Sequence, residues 1–123
     1  MTISKSVFGA RAEVFLKFDG RLELLAGTLS EGLVHVPFNV GLREEPPYDS
    51  IASCEALGFE IWLEQSSVGV FRLRFETEHC LEESFRDQMH DLSLWLARYV
   101  SSVCEVDALV KAADGQECSF PSA

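Results

Sequence analysis

The sequence lacks the short signatures that most often mark a small enzyme. It holds no GxSxG, no HExxH, no glycine-rich phosphate loop and no calcium loop, so the hydrolase, metalloprotease and nucleotide sites that those spacings build are not expected. Its four cysteines, Cys54, Cys80, Cys104 and Cys118, include no close CxxC pair. That removes the zinc knuckle and the dithiol redox motif, and leaves free thiols in a reducing compartment as the expectation. No cofactor is expected. No apolar run approaches the ~20 residues that a membrane-spanning helix needs. The opening MTISKSVFGARAEVF has no apolar stretch after its lysine, so a cytoplasmic protein is expected rather than a secreted one.

Positive charge is also scarce. Ten Lys and Arg stand against 20 Asp and Glu, a formal charge of −10. Nucleic acid and anionic membrane would be repelled at long range and are not expected partners. The imbalance sits mostly in residues 41–91, which hold 12 acids and 4 bases.

What is present suits one globular domain spanning 1–123. The chain is 47% hydrophobic and 24% charged, ordinary for a folded protein of its 123 residues. ARAEVFLKFDGRLELLAG reads as a hairpin around Asp19-Gly20, with Gly20 left-handed, Leu16 opposite Leu22 and Val14 opposite Leu24. LVHVPFNV reads as a third strand that presents Val34, Val36, Phe38 and Val40 on one side, with Pro37 marking an edge or bulge. Residues 41–56 read as a long loop. In GFEIWLE the inward set is Phe59, Ile61 and Leu63, and a Gln65-Ser66-Ser67 loop sets Ile61 against Phe71 and Glu60 against Arg72.

Leu81, Phe85, Met89, Leu92, Leu96, Tyr99 and Val103 recur at spacings of three and four. They predict one long amphipathic helix over about 80–103, with Glu83, Asp87 and Asp91 on its wet side. A last hairpin pairs Val110 with Cys118 and Ala108 with Phe120 across Ala113-Asp114-Gly115. The inferred fold is α+β: an antiparallel sheet of successive hairpins, with the long helix packed on one face.

Candidate chemistry is thin. His79 and His90 share a helical side with Glu83 between them, but eleven residues of helix set the histidines roughly 16 Å apart, too far for a shared metal. His79 and Cys80 are sequence neighbours, which point apart in a helix or strand, so the thiol lacks a base within reach. A small hydrolase using His79, Cys80 and Glu83 is the enzyme alternative; a small acidic secretion chaperone is another.

The leading expectation is a non-enzymatic, protein-binding module of the immunity or antitoxin type, which neutralises a basic toxin or effector. Two features place its surface. Trp62 stands outward between Glu60 and Glu64, with Arg72 or Arg74 near enough to stack on the ring, which makes an aromatic anchor in a charged rim. Glu44, Glu45, Tyr48 and Asp49 surround the stiff Pro46-Pro47 pair, as suits a recognition loop. The outer helix face is the competing surface, and the long loop or a homodimer mate is the alternative cover for Trp62.

Overall fold

In the computed structural model the described residues are 10–42, 50–56, 59–77, 90–111 and 115–121. Alternation organises the first strand, β1 (Ala10–Lys17), where Ala12, Val14 and Leu16 are buried between side chains of the opposite face.

The hairpin expected next is absent. Leu22–Leu29 is a helix, α1, that buries Leu22, Leu25, Ala26 and Leu29, the i, i+3, i+4, i+7 set. LELL is strong helix former, and once Leu25 and Leu29 find a core the local hairpin signal is overridden. Gly20 serves another purpose than a left-handed turn. A Cβ there would stand 2.8 Å from the Phe18 ring, which packs edge-on against Phe71 at 6.1 Å between centroids.

LVHVPFNV is likewise not a single strand. A π-helical turn, Ser30–Val34, continues from α1 and ends at left-handed His35 (φ 59°), whose N–H donates to the Ser30 carbonyl at 2.7 Å. Ser30 Oγ donates to the Val36 carbonyl at 2.7 Å and holds the reversal. The chain extends only at β2 (Asn39–Leu42), after Pro37, and β2 is an edge of the sheet. Val40, expected on one side with Val34, Val36 and Phe38, is 46% exposed.

Part of the supposed long loop is a strand. β3 (Ser50–Ala56) pairs with β2 and with β4 (Phe59–Ser67), while residues 43–49 lie outside the described set. Its inward residues, Ala52 and Cys54, are small and sit beneath α1, so a helix axis can approach closely.

β4 and β5 (Val70–Thr77) form the expected hairpin in a different register. Ile61 faces Phe75, Leu63 faces Leu73, Trp62 faces Arg74 and Glu64 faces Arg72. The turn lies at Val68-Gly69, with Gly69 left-handed at φ 74°, and a bulge falls between Gln65 and Ser67. Ile61 therefore meets a residue four positions beyond the expected Phe71. An even shift keeps every side chain on its face, so the inward set survived a wrong register.

The helix is short. His90–Asp91 is a two-residue strand, β6, lying parallel to Ala10–Arg11, and the second helix, α2, runs Ser93–Val103. Asp91 Oδ1 accepts the Ser93 N–H at 3.0 Å and also its hydroxyl, while Ser93 Oγ accepts the Glu13 N–H at 3.0 Å. That chain of bonds fixes the start of α2 on β1. Its buried stripe is Ser93, Leu96, Ala97, Val100 and Ser101, whereas Val103 of the expected stripe is 48% exposed. Small residues at 93, 97 and 101 set the face because they allow close packing on the sheet.

The last hairpin, β7 (Asp107–Lys111) with β8 (Glu117–Phe120), has the expected pairs Ala108–Phe120 and Val110–Cys118, and Gly115 is left-handed at φ 88°. The strand order is β2-β3-β4-β5-β1-β7-β8, all neighbours antiparallel, with β6 beside the start of β1. Helix α1 packs on β3 and β4, and α2 on β1 and β7. Both cover the face bearing Val14, Leu16, Ile61, Leu63, Phe71 and Leu73, each at most 2% exposed. No helix of the described residues is long and apolar enough to cross a membrane.

Candidate functional site

The opposite face of the sheet carries no helix among the described residues, and strand register arranges its side chains in rows. One row runs Asn39, Ser53, Trp62, Arg74, Glu13. The next runs Ile51, Glu64, Arg72, Phe15, Leu109. A third, on the other side of Trp62, runs Glu55, Glu60, Glu76, Arg11, Asp91.

Arg72 organises the middle of this face. Its guanidinium donates to Glu13 Oε2 from Nε at 2.8 Å and also from Nη2, and its Nη1 reaches Glu64 Oε1 at 3.5 Å. Glu64 is only 9% exposed. Further along β1 and β7, Lys111 Nζ lies 4.4 Å from the centre of the Phe15 ring. Arg11 pairs with Asp91 at 3.6 Å.

Trp62 is half-buried and sits in a hollow of about 330 Å³ lined also by Asn39, Ser53, Glu55 and Glu60. Glu55 and Glu60 are exposed and stand directly opposite one another across β3 and β4. The stacking expected of Arg72 or Arg74 on Trp62 is not formed. Arg74 is across from Trp62 in register, yet among the described residues the cation seated on a ring is Lys111, and Arg74 Nε is buried with no hydrogen-bond partner.

Of the residues singled out in the sequence, Glu60, Trp62 and Glu64 share this face as expected. Glu60 and Trp62 line the hollow, while Glu64 is turned toward Arg72. Glu44, Glu45, Tyr48 and Asp49 lie outside the described residues, as do His79, Cys80, Glu83 and Asp87. Ser53 and Glu55 are missed in the sequence because β3 looks like loop there, and Asn39, on β2, because its partner strand is then missing; the alternation of Ile51, Ser53 and Glu55 with Ala52 and Cys54 is the signal that could find β3.

A second concavity, about 230 Å³, lies on the helix side between α2 and the sheet. Phe59, Ile61, Phe75, Trp95, Leu96 and Tyr99 line it. Its described lining offers no thiol, imidazole or carboxylate. Burial pushes the thiols of Cys54 and Cys104 up from the ordinary value, which leaves them protonated and poorly nucleophilic at neutral pH. No group of three potential ligands among the described His, Cys, Asp and Glu could hold a metal ion. No family model, curated protein or solved structure matches the chain.

Proposed function

We propose that the chain is a non-enzymatic binding module that receives a basic protein on the open face of its sheet, as an immunity or antitoxin-type inhibitor does with a cationic toxin or effector. One observation carries this reading: Trp62 shares a single surface hollow with Glu55 and Glu60, on the face that no described helix covers. A half-buried indole rimmed by carboxylates has the composition of an interface anchor. The formal charge of −10 supplies long-range attraction for a basic partner.

Affinity capture from host extract, with the chain as bait, tests it. Wild type should retain basic proteins that elute as salt is raised, and Trp62→Ala should lose them while remaining folded. Recovery of only neutral or acidic proteins, or an unchanged set with Trp62→Ala, defeats the reading.

A further inference from the structure

We propose that the hollow beside Trp62 seats a single arginine side chain of the bound protein; this rests on the binding-module reading above and names the chemistry of its anchor. Glu55 and Glu60 are paired in register, which puts like charges about 4.5–5.5 Å apart at Cβ and costs the free protein stability. A cation between them removes that repulsion. Trp62 is two residues beyond Glu60 on the same strand and the same face, hence roughly 7 Å along the sheet.

Those two distances select the cation. A lysine ammonium is a compact point charge and reaches either the carboxylates or the ring. A guanidinium is a flat fork, which lies on the indole while its N–H edge is directed at carboxylate oxygens. Ser53, across from Trp62, and Asn39, across from Ser53, complete the rim with neutral polar groups for the remaining N–H donors.

Among the described residues, the arginines of this face leave this position unfilled. Arg72 is committed to Glu13 and Glu64, Arg11 is held by Asp91, and Arg74, although opposite Trp62, makes no ring contact. At Phe15 the same sheet face does seat a cation from its own chain, Lys111. The hollow at Trp62 differs in having two carboxylates, Glu55 and Glu60, in its lining.

The test is a titration of the isotopically labelled full chain, following the indole N–H resonance of Trp62, assigned with Trp62→Phe. The probes are N-acetyl-arginine methylamide, its lysine counterpart, and its citrulline counterpart, which keeps the shape without the charge. The arginine probe should shift the resonance saturably, the lysine probe should bind about threefold or more weakly, and citrulline should leave it unmoved. Glu55→Gln combined with Glu60→Gln should weaken the arginine probe about tenfold with the rest of the spectrum unchanged. Equal shifts with citrulline, an unaltered affinity in the double variant, or a stationary Trp62 resonance each overturn the proposal. If the Trp62 resonance stays still while basic proteins are still captured through Trp62, the arginine site alone is wrong. If the resonance responds but no basic protein is ever captured, the pocket stands and the binding-module reading falls.

Discussion

Arg72 shows how much of this molecule depends on single side chains of the open face. Its guanidinium is shared by Glu13 and Glu64, and Glu64 is 9% exposed. Arg72→Leu therefore takes a cationic partner from two carboxylates, one of them nearly buried. The side chains of Arg72 and Glu13 are 36% and 37% exposed, so water screens part of the interaction and the loss is about 1–2 kcal/mol rather than that of a fully buried pair. Urea unfolding measures it, and adding Glu64→Gln should return part of the stability; an Arg72→Leu variant as stable as wild type contradicts this account. The thiols give a second residue-scale test. Cys118 is exposed, whereas Cys54 and Cys104 are buried with values raised by desolvation. Among these, a maleimide at neutral pH should modify Cys118 first, with Cys54 and Cys104 reacting only as the fold opens. Because the folded thiols hold their protons above the ordinary value of 9.0, their protonation linkage costs nothing below that pH. As pH climbs past it the unfolded chain ionises first, and stability should decline.

At the scale of elements, the sequence was legible where both faces of a strand agreed and illegible where one periodicity could be read as another. The β7–β8 hairpin carried pairs that matched on the inner face and a glycine in the left-handed position, and it was read correctly. In the β4–β5 hairpin the inward residues were right and the register wrong. Polar Ser66 and Ser67 resemble a turn, but the left-handed glycine two residues later makes the tighter reversal and sets Leu63 against Leu73. β3 was missed because Ser, Ala and Cys carry little hydrophobic signal, and that smallness is what α1 requires beneath it. The misread α1 gives a direct test. If Asp19-Gly20 turned a hairpin, Leu22 and Leu24 would point inward. In the helix Leu25 is fully buried and Leu24 is 63% exposed. Leu25→Ala should cost about 2–5 kcal/mol, and Leu24→Ala within about 0.5 kcal/mol. The reverse order in thermal or urea unfolding would restore the hairpin.

At the scale of the whole molecule, the described residues form a sheet with helices on one side and charge chemistry on the other, and this division makes separable predictions for binding. The apolar stripes of α1 and α2 are consumed by the core, so among the described residues the surfaces left for a partner are the exposed backs of the helices and the open face with Trp62. The open face was partly legible in the sequence, since Glu60, Trp62 and Glu64 alternate with the inward residues of β4. Its completion by Glu55 depends on a pairing with β3 that only the three-dimensional register reveals. For a basic partner on this face, indole and carboxylates should differ at the association step. Exposed carboxylates steer the encounter, so Glu55→Gln with Glu60→Gln should slow association and flatten its dependence on salt, and should also speed dissociation by removing the acceptors of the seated guanidinium. The Trp62 ring acts after the encounter, by excluding water and filling space. Trp62→Ala should accelerate dissociation, cost about 2 kcal/mol or more of affinity, and leave the association rate near wild type. Surface-based kinetics at several salt concentrations resolve both effects with a captured partner. On the helix side, Trp95 is 57% exposed and its ring lies tilted against that of Tyr99, 5.6 Å between centroids, which makes Trp95→Ala the matched control: the same loss of an indole, on the face that should not matter. If that variant dissociates faster and Trp62→Ala does not, the partner lies against α2 and the open face has some other purpose.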